Sequence, residues 1–357
     1  MTDFTGSVLV TGGAGFIGSA LSQRLAPGAS RWVAFDSLHP QVHATGERPA
    51  ELHESAELVV GDVTDSAAWD ALLDGFVPDV VIHLAAETGT AQSLDEATRH
   101  ASVNVVGTTQ MLDAFGRHGI VPDRILLISS RAVYGEGSWV RADGTEYYPG
   151  LRSHAALAAG QWDFPDAEPR PVSATRTVPA PTSVYGATKL AQENILAAWA
   201  GARDTELTVL RLQNVYGPGQ SLINSYTGIV SLFSQLAEQG KSIPIYEDGR
   251  ITRDFVYIED IASAFEAALR SPRSIGSRTF DVGSGVGTTI LELAQEIARY
   301  HGAPEPVVTG AFRDGDVRSA SCDIRPTVAG LEWEPRWALE AGVRGLQEWI
   351  ATQTVRG

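Results

Sequence analysis

A tyrosine and a lysine separated by three residues form the pattern in this sequence that is best suited to moving a proton. Tyr185 and Lys189 stand at positions i and i+4 of a helical pattern, so their side chains are expected on the same face, one turn apart. A lysine ammonium beside a phenol stabilises the phenolate and lowers the phenol pKa, which would let Tyr185 act as a base near neutral pH. Because the pattern is common, it predicts catalysis only together with the elements around it.

A hydroxyl residue, Ser130, ends an apolar run that begins near Ile125. In a parallel sheet covered by helices, ligands bind at the carboxyl edge of the strands. The Ser130 hydroxyl is therefore expected to hydrogen-bond the substrate oxygen that Tyr185 deprotonates. A serine that merely ends a strand is the alternative, and the Tyr185–Lys189 pair argues against it.

A glycine-rich stretch near the N-terminus has the spacing of a dinucleotide-binding loop. Gly12, Gly15 and Gly18 follow the first apolar run and open a helical pattern. Glycines there permit a close approach of backbone N–H groups to a pyrophosphate, and the helix N-terminus favours negative charge. Asp36 ends the second apolar run, where an acid accepts hydrogen bonds from the adenosine ribose. An acid there disfavours a 2′-phosphate, so the pattern predicts NAD; a glycine turn beside an ordinary surface aspartate is the alternative.

Apolar runs alternate with amphipathic stretches through the first half of the chain, at residues 7–11, 32–35, 58–60, 80–84 and 125–128. Runs without strict alternation are typical of strands covered on both faces, so we predict an α/β fold with a Rossmann-type doubly wound parallel sheet. A strand at 207–212 closes the predicted NAD-binding domain, residues 1–212. Residues 213–357 are predicted to form a smaller α/β substrate-binding lobe with helices near 229–239, 258–269, 289–300 and 338–351. Residues 137–181 form an insertion, either a lid or a surface loop.

The net charge and the cysteine content exclude several classes of binding partner and of site. Twenty-seven basic and forty-three acidic residues give a net charge of −16, which would repel nucleic acid and anionic membrane surfaces. We expect no export signal and no membrane anchor, because no apolar stretch is long enough. The only cysteine, Cys322, cannot form an intrachain disulfide or a thiolate metal cluster. These features predict a cytoplasmic protein without a metal site.

Several motifs resemble, as a set, one enzyme family. They are T-G-G-A-G-F-I-G from Thr11, H-L-A-A from His83, N-V-V-G-T from Asn104, S-S-R-A-V-Y-G from Ser129, Y-G-A-T-K from Tyr185 and R-D-F-V from Arg253. Together they are similar to the extended short-chain dehydrogenase/reductases that act on nucleotide sugars, the NAD-dependent epimerases and dehydratases. The matches run from about residue 8 to 316, nearly the whole chain.

The resemblance implies a role for individual residues. Ser130, Tyr185 and Lys189 would be the catalytic groups, and the last two would also contact NAD. The other residues that would contact NAD are Gly12, Gly15, Phe16, Ile17, Gly18, Asp36, Asp62, Val63, Leu84, Ala85, Ala86 and Asn104. Those that would contact the nucleotide sugar are Glu87, Thr88, Arg131, Asn214, Tyr226, Arg253 and Arg313. Guanidinium groups suit phosphate oxygens, although a surface salt bridge is the alternative for each arginine, as a helix cap is for Asp62.

The resemblance also narrows the reaction. Dehydratases of the family carry an Asp-Glu pair directly after the hydroxyl residue, where this chain has Arg131 and Ala132, so elimination of water is not expected. The stretches 38–43, 87–90, 134–137 and 224–228 are most similar to 4-epimerases, particularly the branch that acts on dTDP-L-rhamnose. Relatives of that branch often have cysteine pairs in the insertion, and this chain has none there. The resemblance implies a 4-epimerase that acts on a dTDP- or UDP-hexose. It also implies a homodimer in which the subunits pair through helices near 97–116 and 185–200.

Two other functions use the same residues. A nucleotide-sugar 4-ketoreductase or dehydrogenase would need the same serine, tyrosine and lysine but would consume NADH or NAD, and the sequence hardly separates it from an epimerase. A non-catalytic NAD-sensing protein would be expected to lose Tyr185 or Lys189, and both are present.

Overall fold

The computed structural model describes residues 5–43, 45–222, 228–274 and 276–354. The strands, in chain order, are β1 Ser7–Thr11, β2 Arg31–Asp36, β3 Ala56–Val60, β4 Val80–His83, β5 Arg124–Ser130, β6 Trp139–Arg141, β7 Glu146–Tyr147, β8 Ala167–Pro169, β9 Glu206–Leu212, β10 Asn214–Tyr216, β11 Pro244–Ile245, β12 Thr252–Tyr257, β13 Ser277–Val282, β14 Gly287–Thr289, β15 Val307–Val308 and β16 Ser319–Ala320. The α-helices are α1 Phe16–Leu25, α2 Ser66–Leu73, α3 Gln92–Asp95, α4 Ala97–Ala101, α5 Gly107–His118, α6 His154–Ala158, α7 Val184–Gly201, α8 Ile229–Glu238, α9 Ile258–Arg270, α10 Ile290–His301, α11 Arg325–Leu331 and α12 Leu339–Thr354.

Seven parallel strands form the main sheet, in the order β13-β9-β5-β4-β1-β2-β3. Successive side chains of β1 point to opposite faces of the main sheet. Val8 and Val10 pack with α1 and α9, and Leu9 packs with α2, α5 and α7. Both faces are therefore covered, which explains why these strands are continuous apolar runs in the sequence. The predicted doubly wound α/β fold is confirmed.

The main sheet extends beyond Leu212. Strand β13 pairs with β9 along its whole length, from Ser277 opposite Leu207 to Val282 opposite Leu212. The chain first builds β10, α8, β12 and α9 and then returns to add this edge strand. A division of the chain at residue 212 stays a prediction, and the second half contributes one strand to the sheet of the first.

The remaining C-terminal elements surround a smaller sheet, in which β12 lies between β10 and β14 and also pairs with β16. The helices α8, α9, α10 and α12 lie where the apolar periodicity predicts them, to within a few residues. Their buried faces join one core with β12, through residues such as Phe233, Phe255, Phe265 and Leu346. None of the helices among the described residues has the length and apolar character needed to cross a membrane.

The insertion at residues 137–181 is an ordered unit attached to the C-terminal segment. It contains the antiparallel sheet β7-β6-β8 and the short helix α6. The Val172 backbone accepts a hydrogen bond from Asp323 N at 2.8 Å and donates one to Ser321 O at 2.9 Å. Both sequence-based interpretations, a lid and a surface loop, underestimated these contacts, because they join residues that lie about 150 positions apart in the chain.

Candidate active site

A cavity of about 660 Å³ lies at the carboxyl edge of the main sheet, where six of its strands end. Most of the residues predicted to bind or act on a ligand line this cavity. They are Gly12, Gly15, Phe16, Ile17, Gly18, Asp36, Asp62, Val63, Leu84, Ala85, Ala86, Glu87, Thr88, Ser130, Arg131, Tyr185, Lys189 and Asn214. The structure therefore brings the glycine loop and the tyrosine-lysine pair into one space.

The glycine loop leaves room for a phosphate against its backbone. Gly12 has a φ of +65°, and a Cβ on it would lie 2.8 Å from Ala85 N. A Cβ on Gly18 would lie 2.5 Å from the Gly13 carbonyl oxygen, so the helix could not approach the loop so closely. Gly15 is the N-cap residue of α1 and has no side chain to cap it, which leaves the first N–H groups of that helix available to an anion.

Asp36 is held rigidly at the end of β2. Its Oδ2 accepts a hydrogen bond from Ala14 N at 3.0 Å, and its Oδ1 accepts one from Leu38 N at 2.9 Å. Each carboxylate oxygen keeps a further acceptor position, so the group can still accept hydrogen bonds from ribose hydroxyls. The carboxylate and the open glycine loop together fit a dinucleotide without a 2′-phosphate.

The segments that carry Ser130, Tyr185 and Lys189 meet at this edge. Ser130 ends β5, and its Oγ accepts a hydrogen bond from Ala132 N at 3.2 Å. Tyr185 lies in the first turn of α7, which Ser183 caps by accepting from Gly186 N at 3.0 Å. Lys189 follows one turn later and is buried, and its Nζ has no hydrogen-bond partner in the part of the chain that the structure describes. Such a buried ammonium can donate a hydrogen bond to a ligand hydroxyl, or it can stabilise the phenolate form of Tyr185.

Burial and neighbouring groups shift the pKa of both members of the pair. Burial raises the pKa of Tyr185, whereas a hydrogen bond from Ser130 and the positive charge of Arg131 lower it. Burial also lowers the pKa of Lys189 to about 7, against the opposing effect of the Glu193 carboxylate. The net result is a raised pKa for Tyr185 and a lowered pKa for Lys189, and perturbed groups that share a cleft are typical of acid–base sites.

Asn104, predicted to contact the cofactor, lies behind the cavity wall. Its Oδ1 accepts a hydrogen bond from Glu87 N at 2.8 Å, and its Nδ2 donates to Glu87 O and to Thr188 Oγ1. The side chain is fully buried. In this arrangement its amide holds the loop after β4 against α7, because it bonds Glu87 of that loop and Thr188 of the helix.

Two other predicted contacts with the substrate, Arg253 and Arg313, do not line the described cavity wall. The Arg253 guanidinium is buried and donates to Thr252 O at 2.8 Å. Arg313 is exposed, and its guanidinium carbon lies 4.9 Å from the centre of the Tyr246 ring. Tyr226 lies outside the described residues. For Asp62, the suggested role as a helix cap is wrong, because Asp65 caps α2.

Several cavity residues were missed by the sequence reasoning. A polar network joins the loop after β2 to the loop after β4: Gln41 and Gln92 exchange hydrogen bonds, and Arg99 Nη2 donates to Gln41 Oε1 at 3.0 Å and to Glu87 Oε1 at 2.8 Å. Gln41 lies 51 positions from Gln92 and 58 from Arg99, so no local pattern indicates these contacts. The other missed lining residues with polar side chains include His39, His43, Gln213 and Gln220.

Comparison with known proteins decides the family. A model of the NAD dependent epimerase/dehydratase family matches residues 8–283, about three quarters of the chain. The chain belongs to this family. The family predicted from the sequence motifs is thereby confirmed, and so is NAD as the cofactor on which the family depends.

Individual members of the family are similar over nearly the full length. A dTDP-L-rhamnose 4-epimerase from Burkholderia thailandensis is 62% identical over 350 residues, which cover 98% of this chain and 96% of that protein. The crystal structure of a UDP-glucose 4-epimerase from Thermotoga maritima with UDP-glucose has a TM-score of 0.79 at 28% identity, covering 98% of this chain and 99% of that one. A UDP-glucose 4-epimerase from Thermus thermophilus in complex with NAD has a TM-score of 0.76 at 25% identity, covering 97% and 99%.

Proposed function

We propose that this protein is an NAD-dependent nucleotide-sugar 4-epimerase and that its substrate is dTDP-L-rhamnose. The observation that carries the proposal is the single cavity that joins the glycine loop and Asp36 to Ser130, Tyr185 and Lys189. The identity of 62% to a dTDP-L-rhamnose 4-epimerase over almost the entire chain supports the choice of sugar. Arg131 and Asn214 line the same cavity and are the proposed contacts to the nucleotide sugar.

The side chains divide the work of moving one proton. Tyr185, as phenolate, takes the proton of the sugar 4-hydroxyl and later returns it. Ser130 donates a hydrogen bond to the same oxygen, and Lys189 stabilises the phenolate through its charge. NAD, when bound, supplies the hydride acceptor for the sugar carbon and then the donor, so the reaction has no net redox change.

The test is a reaction of the purified protein without added cofactor. It is mixed with dTDP-L-rhamnose and related dTDP- and UDP-sugars, while proton NMR follows the sugar and ultraviolet absorbance follows the reduced nicotinamide. An epimerase gives a C4-inverted product at constant nicotinamide absorbance. Conversion that starts only when NADH is added and consumes it in proportion to product would identify a 4-ketoreductase and overturn the proposal.

Replacing Tyr185 by phenylalanine removes the proposed base and nothing else. We expect turnover to fall by about 10²–10⁴-fold or more, since this is the typical contribution of a positioned acid–base group. NAD binding and thermal unfolding should stay as in the wild type. The matched control is Tyr300→Phe on the exposed side of α10, which should behave as the wild type. Turnover retained in Tyr185→Phe would refute the assigned base.

We also propose a cytoplasmic homodimer. The described segment from α3 to α5, which overlaps one of the two predicted dimer helices, exposes the apolar side chains of Leu94 and Val106. The free, buried thiol of Cys322 is compatible with a reducing compartment. Sedimentation at several protein concentrations tests the dimer, and Leu94→Asp with Val106→Asp should weaken it if α3 to α5 form the interface.

A further inference from the structure

The turn that follows Ser130 lies directly against the first turn of α7. Residues Arg131–Tyr134 form a short 3-10 helix, and a Cβ on Gly186 would overlap the Ala132 carbonyl oxygen. The contact between these two backbone segments is therefore as close as glycine allows. Arg131 and Tyr185 leave these adjacent segments and both line the cavity, so their side chains share one space.

The Arg131 guanidinium has no hydrogen-bond or ion-pair partner among the residues that the structure describes, unlike the buried guanidinium groups of Arg152, Arg211 and Arg318. The charged groups that act on its pKa include Arg253, Asp316 and Glu136. Burial, together with the repulsion from Arg253, lowers the pKa of Arg131 to about 9, so the group is still a cation at neutral pH. A partly enclosed cation without a partner lowers the stability of the fold unless another group in the cavity interacts with its charge.

Tyr185, as phenolate, is one group in the cavity that can interact favourably with this charge. Four side chains face it: Ser130 and Arg131 from the end of β5 and the turn after it, Lys189 from α7, and His100 from α4, whose ring centre lies 6.5 Å from that of Tyr185. Because the pKa of Lys189 is about 7, this lysine carries only part of a positive charge near neutral pH. Arg131 carries a full charge over the same range.

We propose that Arg131 is a positioning residue whose guanidinium stabilises the phenolate form of Tyr185. This proposal deepens the proposed epimerase function and rests on it for its meaning in catalysis. Arg131 forms and breaks no bond: the proton moves from the sugar hydroxyl to Tyr185 and back. The alternative is that Arg131 serves only as the contact to the nucleotide sugar proposed above, at its diphosphate, which would leave the ionisation of Tyr185 unchanged.

The experiment measures the ionisation of Tyr185 in the NAD-bound protein. Tyrosine labelled with carbon-13 at the hydroxyl-bearing carbon reports each of the nine phenols by NMR, and the signal that is missing in Tyr185→Phe identifies Tyr185. Two variants, Arg131→Gln and Arg131→Met, remove the charge, and Arg131→Lys keeps it. The control is Arg344→Gln, which removes an exposed arginine of α12 that pairs with Glu340.

We expect both charge-removing variants to raise the pKa of Tyr185 by about 1 unit or more, which leaves tenfold less phenolate at a given pH. The rise of kcat with pH should move upward by the same amount, and Arg131→Lys should restore most of the wild-type profile. An unchanged Tyr185 titration together with a higher KM would overturn the proposal and assign Arg131 to the diphosphate. Because the NMR titration needs no turnover, it stands even if the wild type inverts no sugar, in which case only the epimerase proposal fails.

Discussion

The cavity wall and the junction between the insertion and the C-terminal segment both enclose charged side chains, but two cations of the cavity wall are unpaired among the described residues, whereas the arginines of the junction are paired. In the cavity, Lys189 Nζ has no hydrogen-bond partner, and Arg131 has none among the described residues. At the junction, Arg152 Nη1 lies 2.7 Å from Glu247, and Arg318 lies 2.7 Å from both Asp163 and Asp248. We call this second set, with its five residues, the charged seam.

The difference separates groups that hold the fold from groups that are kept for a ligand. The two arginines of the charged seam share the Glu247 carboxylate, and Arg152 also donates to two backbone carbonyl oxygens. Charges paired in this way contribute to a specific arrangement, although they seldom raise stability above that of an apolar core. A buried charge without a partner weakens the fold, so its retention indicates a function.

The largest effect that would sharpen this comparison is expected for Lys189→Met. Turnover should fall by about 10²–10⁴-fold, because the proposed base loses the charge that stabilises it. The free energy of unfolding should rise or stay the same, since the lowered pKa of Lys189 means that its charged form is less stable in the folded protein. Stopped assays of C4 inversion and urea unfolding of the cofactor-free protein measure the two quantities. The control Lys241→Met changes an exposed lysine, and a clear loss of stability in Lys189→Met would mean that the charge is compensated after all.

The opposite result is expected for Glu247→Gln in the charged seam. This change leaves the buried Arg152 guanidinium without a carboxylate among the described residues, whereas Arg318 keeps Asp163 and Asp248; removing one partner of a buried pair costs about 3–5 kcal/mol of unfolding free energy. The kcat of the folded fraction should stay close to that of the wild type, because Glu247 does not line the cavity. Glu340→Gln, which breaks an exposed pair with Arg344, should cost less than about 1 kcal/mol. A fall in kcat without a loss of stability would contradict the division between the two regions.

The same division explains how much the sequence could predict. The strands β1 to β5 and the residues Gly12, Asp36 and Ser130 were predictable, because an apolar run and the residue that ends it are neighbours in the chain. Tyr185 and Lys189 were predictable for the same reason, since they stand one helical turn apart. In a parallel sheet, the residues that contact ligands lie at the ends of single strands and helices, each of which is a short continuous stretch of the sequence.

The charged seam could not be predicted, because its partners are distant in the sequence. Arg318 pairs with Asp163, which is 155 positions away, and Arg152 with Glu247, which is 95 positions away. Strand β13 was missed as part of the main sheet for the same reason: its partner β9 lies 70 positions earlier in the chain, as Ser277 pairs with Leu207. A single sequence contains the charges but not the contacts that pair them.

Glu136 lies between the two regions. It is buried, and its carboxylate accepts hydrogen bonds from the backbone N–H groups of Arg318, at 2.9 Å, and Ser319, at 3.2 Å. Burial raises the pKa of Glu136 from 4.5 to about 7, although these hydrogen bonds and the charges of Arg152 and Arg253 lower it. The pKa of this carboxyl group is therefore set mainly by burial, as in the cavity, and less by neighbouring charges, as in the charged seam.

The smallest expected effect follows from this pKa and concerns the dependence of stability on pH. Between pH 4.5 and about 7, the folded protein keeps a proton on Glu136 that the unfolded chain has lost, so stability falls as pH rises through this window. We expect Glu136→Gln to remove about 1–3 kcal/mol of this fall, seen by urea unfolding at a series of pH values. Asp281→Asn is the matched control: burial raises the pKa of Asp281 only to about 6, so this change should leave the upper part of the window intact. A constant difference between the wild type and Glu136→Gln from pH 4.5 to 7 would place Glu136 among the paired charges of the charged seam, because a carboxylate ionised throughout the window adds no slope.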